Sequence, residues 1–149
     1  MSNILLKPLR KFFLDRALKK MIKSIETDLL DDFLEILLKV VRLALILDPH
    51  YRRNIQGFNA RYAFQDEEGQ IAASAIFQDG KMKVKKYKIE DTNVTVFFKN
   101  GKALWEFLMS KNPDVFAFVL ESKIRYEGNP NYIMKFGYMA KHLQVMFGF

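Results

Sequence analysis

The side chains that carry out most enzyme chemistry are sparse in this sequence. It contains no cysteine, which excludes disulfides, thiol nucleophiles and cysteine-ligated zinc or iron–sulfur sites. Its two histidines are His50, directly after a proline, and His142, near the end of the chain. They are too far apart in sequence to form a His-x-x-x-His metal motif. We therefore predict no metal site.

The acidic residues form no catalytic motif either. Glu67 and Glu68 fall in a predicted turn, and Asp31 and Asp32 fall in a predicted helix start, where acids are usually solvated. The seven glycines are scattered, so no glycine-rich loop is present to hold a phosphate. No motif places a nucleophile beside a base. The sequence predicts a protein that is not an enzyme and that needs no cofactor.

The composition is typical of one folded domain. Of the 149 residues, 50% are hydrophobic, 14% are aromatic and 28% are charged, which allows a sizeable core. The most apolar stretch, from Leu29 to Leu47, contains five charged side chains and is a poor candidate for a membrane span. The first residues lack the features of a signal peptide. We predict a cytoplasmic protein that meets a membrane at most from its surface.

Positive charge is concentrated near the start of the chain. The net charge is +7, and the residues up to Ile25 contribute seven basic side chains and one acid. After Pro8 the apolar positions recur at helical spacing, which predicts a basic amphipathic helix. Such a helix binds an anionic membrane surface, binds nucleic-acid phosphates, or packs as a solvated helix on its own domain or on a partner. The predicted membrane-contact residues are Arg16, Lys19, Lys20 and Lys23.

The remaining pattern alternates between helical and strand periods. A second helix ends at Asp48-Pro49, and Asp79-Gly80 predicts a tight hairpin. Strands are predicted over 58–65, 70–78, 81–89, 94–98 and 123–127, with a bulge at Lys85-Lys86. Further helices are predicted over 102–110, over 114–120 and after Pro130. This order predicts an α+β fold: a five-stranded, mainly antiparallel sheet covered by helices, with a helical N-terminal extension. We predict that residues 1–50 form the helical segment, a basic amphipathic helix followed by a buried helix, and residues 51–149 the sheet domain, in one compact unit.

Four segments in this order resemble the sterol carrier protein type two lipid-transfer domain. They are Asp91–Phe98, Asn112–Leu120, Ser122–Asn129 and the Met134–Tyr138 part of the last helix. The resemblance extends over about Gly57 to Leu143. It implies an apolar tunnel between sheet and helices that carries a lipid or isoprenoid. The C-terminus lacks a Ser-Lys-Leu peroxisomal signal, so a bacterial-type accessory protein of lipid or quinone metabolism fits best.

Small and flexible side chains independently suggest a cavity. The predicted second strand contains Ala72-Ala-Ser-Ala75, which leaves room above the sheet, and several methionines can line such a space adaptably. The predicted ligand-lining residues are Tyr62, Phe64, Phe77, Phe98, Trp105, Phe116, Leu120, Phe136 and Met139. One alternative is a structural or protein-interaction module whose core is filled. Another is a nucleic-acid-binding protein that uses the lysine-rich strand after Gly80.

Overall fold

The computed structural model describes residues 12–17, 19–20, 23, 30–109 and 115–147. Residues 12–17, 19, 20 and 23 are helical. The later elements are α1 (Leu30–Leu47), α2 (Pro49–Arg52), a 3-10 turn (Arg53–Ile55), β1 (Ala60–Asp66), β2 (Ala72–Gln78), β3 (Lys81–Lys85), β4 (Val94–Phe98), α3 (Gly101–Met109), α4 (Val115–Leu120), β5 (Ile124–Gly128) and α5 (Pro130–Phe147).

The five strands form one sheet in the order β3-β2-β1-β4-β5. Neighbouring strands are antiparallel except β1 and β4, which run parallel with Tyr62 beside Val94. The predicted α+β class and the mainly antiparallel five-stranded sheet are confirmed.

The connection from β3 to β4 crosses the outer face of the sheet, because β4 pairs with β1 and not with β3. The Ser74 hydroxyl donates to the Tyr87 carbonyl (2.7 Å) and accepts from the Ile89 N–H (3.0 Å). The Arg61 guanidinium donates to the carbonyls of Glu90 and Asp91. These bonds satisfy backbone groups that leave the ladder. The predicted third strand, 81–89, is therefore corrected: it ends at 85, where the predicted bulge would lie.

The hairpin between β2 and β3 turns at Asp79-Gly80, as predicted. Both residues have positive φ values, 55° for Asp79 and 71° for Gly80, as a type I′ turn requires. This turn places the lysines of β3 along an edge of the sheet. Charged side chains on an edge strand oppose pairing with another sheet.

The inner face of the sheet is covered mainly by α1 and α5. Buried residues of α1, such as Phe33, Leu37 and Val41, belong to the same apolar cluster as the inner residues of the strands. Between α1 and α2 the carboxylate of Asp48 accepts from the N–H groups of His50 and Tyr51, which caps α2. No helix among the described residues is long and apolar enough to span a bilayer.

Two of the described N-terminal side chains, Leu14 and Ala17, contact this core. Leu14 is buried, whereas Phe12 and Phe13 are 58% and 50% exposed. Residues 12–17 therefore present an apolar contact to the domain on one side and two phenyl rings to the solvent on the other.

Candidate functional site

Six of the nine predicted lining residues lie together in the interior. All six are buried between the sheet and α5: Tyr62, Phe64, Phe77, Phe98, Phe136 and Met139. Tyr62 and Phe64 project from β1 onto the face that also carries Val94 and Val96 of β4, because the parallel register pairs these residues directly.

The rings in this aromatic cluster contact one another. The Tyr62 ring stacks on Phe64 at 5.9 Å between centroids and meets Phe77 edge-on at 5.6 Å. Phe136 of α5 lies 5.8 Å from Tyr62 and 5.0 Å from Phe64. Such pairs prefer offset or edge-on geometry, and each stabilises a core beyond the area it buries. In this structure the cluster joins β1 to α5 by direct packing.

The small residues of β2 lie beside the largest rings of β1. Ala75 is paired with Tyr62, and Ala73 is paired with Phe64. Large side chains thus alternate with small ones across the two strands, which is how a close-packed layer is built. The space predicted above the small residues of β2 therefore lies beside the rings of Tyr62 and Phe64.

The hydroxyl of Tyr62 is used inside the fold. It donates to the Tyr132 carbonyl at 2.7 Å. Burial, together with the nearby Tyr132, raises the pKa of Tyr62 well above its ordinary range, so the hydroxyl stays protonated. It acts as a structural donor between β1 and the first turn of α5.

The other three predicted lining residues are placed differently. Trp105 is half-buried and meets Phe33 of α1 edge-on at 5.6 Å. Leu120, at the end of α4, is 85% exposed, so its predicted inward direction is wrong. It is the last residue of a six-residue helix and is followed by the exposed turn residues Glu121 and Ser122. The side chain of Phe116 lies outside the described residues.

A groove lies along α1, between this helix and the N-terminal helical residues. We call it the α1 groove, and its volume is about 570 Å³. Among the described residues, five apolar and four charged ones line it: Ala17, Ile36, Val40, Leu43 and Ile46, with Lys20, Glu35, Lys39 and Arg42. A mostly apolar concavity with a few polar groups is typical of small-molecule sites.

A second cavity adjoins the α1 groove and shares Arg42 and Ile46 with it. We call it the basic cavity; its volume is about 490 Å³. It lies between the end of α1 and the hairpin that opens β3. It is lined by Arg42, Leu45, Ile46, Arg52, Gly80, Lys81, Met82 and Lys83.

Hydrogen bonds fix the two arginines of the basic cavity. Arg42 Nε donates to the Met82 carbonyl at 3.1 Å, which joins α1 to the edge strand. Arg52 donates to the carbonyls of Leu45 and Ile46 at 2.7 and 2.6 Å. These carbonyls belong to the last turn of α1, where a cation is favoured by the helix dipole.

The acid of the α1 groove is already paired. Glu35 Oε1 lies 2.6 Å from Lys39 Nζ and 3.1 Å from Lys86 Nζ. The hydrogen bond from Lys39 is the main cause that lowers the pKa of Glu35 below its ordinary value, so this carboxylate stays charged and matched.

The sequence contained only a partial signal for the open side of α1. The helix that became α1 is apolar nearly all round, which predicts full burial. In the structure Ile36 and Leu43 are only half-buried and Ile46 is 54% exposed. The basic residues Lys39 and Arg42 lie among these three apolar residues. This mixture of apolar and basic side chains distinguishes the open side of α1 from its buried side.

The predicted membrane-contact side chains Arg16, Lys19, Lys20 and Lys23 are all exposed. Lys20 also lines the α1 groove. The exposed rings of Phe12 and Phe13 lie in the same helical segment.

The two histidines lie together, on α2 and α5. Their ring centroids are 5.5 Å apart, and Nδ1 of His142 lies 3.0 Å from the side-chain nitrogen of Asn54. Burial, followed by the nearby His50, lowers the pKa of His142, although Asp48 opposes this. Among the described residues, no group of three or more histidine, aspartate or glutamate side chains could hold a metal ion.

No protein-family model matches this sequence, and no curated protein matches it. Solved structures with a similar fold do exist. The UbiJ-SCP2 ubiquinone synthesis protein is 12% identical, with a TM-score of 0.57 over 73% of this chain and 88% of that protein. The sterol carrier protein domain 2 of Helicoverpa armigera is 19% identical, with a TM-score of 0.52 over 76% and 87%.

A third neighbour is a domain within a larger enzyme. The inverting sec-alkylsulfatase from Pseudomonas sp. is 13% identical, with a TM-score of 0.56 over 71% of this chain. The chain spans 15% of the length of that alkylsulfatase. Together these likenesses show that the chain has the fold of sterol carrier protein type two domains.

Proposed function

We propose that this protein binds a lipid-class hydrophobic molecule and carries or presents it without catalysing a reaction. The observation that carries the proposal is the α1 groove. Its apolar floor remains partly open to solvent in a domain that has the sterol carrier fold. A volume of about 570 Å³ lies within the range of about 300–1,000 Å³ that is usual for small-molecule sites.

The predicted interior tunnel remains a second location for the ligand. The aromatic cluster around Tyr62 would have to separate from Phe136 to admit a guest, which would break ring contacts that stabilise the core. The α1 groove offers volume without that cost. We therefore place the ligand in the groove and keep the interior as the competing site in the test.

An isoprenoid of quinone metabolism is one ligand class within this proposal. It is supported by the structural likeness to a ubiquinone synthesis protein. A bacterial-type accessory role in lipid or quinone metabolism is part of the same proposal.

The direct test is native mass spectrometry of gently purified protein, followed by organic extraction and mass analysis of the extract. We expect a bound lipid at a stoichiometry near one. Protein that carries no lipid, and takes up none from mixed bacterial lipid extract, would contradict the proposal. That result would favour the alternative of a protein-interaction module, which the close ring packing of the interior also supports.

A pair of variants distinguishes the groove from the interior. Ala17→Trp fills the α1 groove from its N-terminal side, and we expect it to abolish lipid uptake. Gln56→Trp adds the same side chain at an exposed position that lines neither cavity, and we expect normal uptake. Uptake that survives Ala17→Trp would place the ligand in the interior.

Contact with an anionic membrane surface is the second part of the proposal. Each basic side chain near such a surface contributes about 1 kcal/mol, and exposed aromatic rings insert at the headgroup level. Arg16 and Lys19 supply the charge, and Phe12 and Phe13 supply the rings. A carrier that loads from a membrane needs such a contact.

A further inference from the structure

The outer face of α5 carries a narrow row of apolar side chains. Met134, Tyr138 and Val145 are each more than half exposed, whereas Phe136 and Leu143 of the same helix are buried in the core. Since an α-helix has about 3.6 residues per turn, the three exposed residues share one stripe, which lies opposite the buried one. The domain therefore covers only one of the two apolar sides of α5.

Lys141 completes this row, which has the spacing of a helix seam. The residues Met134, Tyr138, Lys141 and Val145 follow one another after four, three and four positions, and we call them the α5 seam. The a and d positions of a heptad repeat, through which helices pack side by side, have the same spacing. The seam extends over about 16 Å, because each residue advances a helix by about 1.5 Å. It is therefore long enough to contact about three turns of another helix.

Polar residues border the α5 seam. Asn131 and His142 lie on one side of it and Gln144 lies on the other, so its apolar surface is only one side chain wide. A helix that lies on a membrane surface has a broad apolar face, whereas a stripe restricted to a and d positions is typical of helix-on-helix packing. The width of the seam favours a second helix as its occupant.

Lys141 determines which charge this second helix must carry. Among the described residues Lys141 forms no ion pair. A helix that covers the seam removes this ammonium group from water, which is costly unless a carboxylate pairs with it. Because α5 contains no aspartate or glutamate, a second copy of α5 would bring a second Lys141 and no acid. The net charge of the chain, +7, also attracts an acidic partner and repels another copy.

We propose that the α5 seam binds an amphipathic helix of a partner protein, with apolar residues at heptad spacing and carboxylates beside them. The apolar residues of the partner helix pack on Met134, Tyr138 and Val145, and one carboxylate pairs with Lys141. This inference goes beyond lipid binding, because the α5 seam shares no residue with the described lining of the α1 groove.

Fluorescence anisotropy with labelled synthetic helices tests the inference. The first peptide has about three heptads with leucine at a and d and glutamate at e and g, and a hydrocarbon staple keeps it helical. The second peptide has lysine in place of each glutamate. We expect the wild-type protein to bind the glutamate peptide at least about tenfold more tightly than the lysine peptide at low salt, with a preference that falls as salt is added.

Matched double variants locate the bound helix. Tyr138→Ala with Val145→Ala removes two exposed apolar side chains from the α5 seam, and we expect the glutamate peptide to bind at least about tenfold more weakly. Tyr87→Ala with Leu120→Ala removes an aromatic and an aliphatic side chain that are exposed elsewhere, and we expect no change in affinity.

A pair of single variants tests the role of the lysine in the seam. Lys141→Gln removes the charge that the partner carboxylate needs, and we expect the glutamate peptide to bind about fivefold more weakly. Lys99→Gln removes the same charge at an exposed position outside α5, and we expect unchanged affinity.

Four results would each overturn the inference. Three of them are equal affinities of the wild-type protein for the two peptides, equal effects of the two double variants, and equal effects of the two lysine variants. The fourth is a dimer in sedimentation equilibrium that Tyr138→Ala with Val145→Ala abolishes, because a second copy would then occupy the seam. Lipid uptake is judged separately, since Ala17→Trp fills the α1 groove and leaves the α5 seam intact.

Discussion

Gly128 ends β5 where the chain comes closest to the loop before β4. Its φ is +104°, and a Cβ at this position would lie 2.4 Å from the Asn93 carbonyl oxygen. The same carbonyl accepts from the Asn129 N–H, so it has little freedom to move. We expect Gly128→Ala to lower the free energy of unfolding by about 2–4 kcal/mol, because backbone strain and a backbone clash add. Urea unfolding followed by circular dichroism measures this loss.

Gly57→Ala is the matched control for that change. Gly57 also has a positive φ, +66°, but nothing lies within 4 Å of an added Cβ. Only conformational strain applies, so we expect a loss of about 1 kcal/mol. Equal losses at the two glycines would contradict the close approach of β5 to Asn93.

Single residues were predictable where local chemistry decides their position. Asp79-Gly80 formed the expected turn because adjacent positive φ values are accessible to few residue pairs. Leu120 was not predictable, because a helix of only six residues has no long period from which to assign a direction. Ile46 is exposed on a helix whose composition indicated burial, since what covers a helix is decided by the rest of the chain.

At the scale of elements, the contact between α2 and α5 should respond to pH. The His142 ring faces His50, Tyr51 and Tyr138, and its Nδ1 lies beside the amide nitrogen of Asn54, which is itself a donor. A protonated ring would place two donors against each other. Since the folded-state pKa of His142 lies below its ordinary value of 6.5, the unfolded chain takes up the proton more readily.

The stabilisation by neutral His142 is therefore fully present above about pH 6.5 and is lost as the pH falls through the lowered folded-state pKa. We expect the urea midpoint of the wild-type protein to fall between about pH 7.5 and about pH 5.5, and that of His142→Gln to fall less. The stabilisation by the Glu35 carboxylate is lost only below the ordinary pKa of this group, 4.5, which lies outside this pH interval. If the urea midpoints of the two proteins fall equally with pH, His142 is not the group responsible.

The spacing of apolar residues predicted the type of each element, but it did not predict where β3 ends. The pattern predicts a strand over 81–89 with a bulge at Lys85-Lys86, where the alternation breaks, yet β3 ends at Lys85. The chain must leave the edge strand to cross two strands and pair with β1, and the Ser74 hydroxyl holds it there through Tyr87 and Ile89. A long-range pairing thus overrides a local pattern.

At the scale of the whole molecule, the α+β class followed from the order of elements, whereas the candidate site did not. The aromatic residues expected to line a tunnel meet each other because α5 closes directly onto β1. The α1 groove and the basic cavity bring together residues from four parts of the chain, from Ala17 to Lys83. No periodicity within a single segment encodes that arrangement.

The net charge of the whole chain, +7, predicts attraction to anionic membranes. The exposed rings of Phe12 and Phe13 suggest which part of the surface would face such a membrane. If the segment with Phe12 and Phe13 contacts the bilayer, reversing its charges must weaken membrane binding more than reversing charges elsewhere. We expect Arg16→Glu with Lys19→Glu to weaken binding to phosphatidylserine-containing vesicles about tenfold or more in flotation assays. Lys20 is left intact because it lines the α1 groove. Lys99→Glu with Lys102→Glu lowers the net charge equally and serves as the control. If this variant loses as much vesicle binding, the attraction depends on net charge and not on the segment with Phe12 and Phe13.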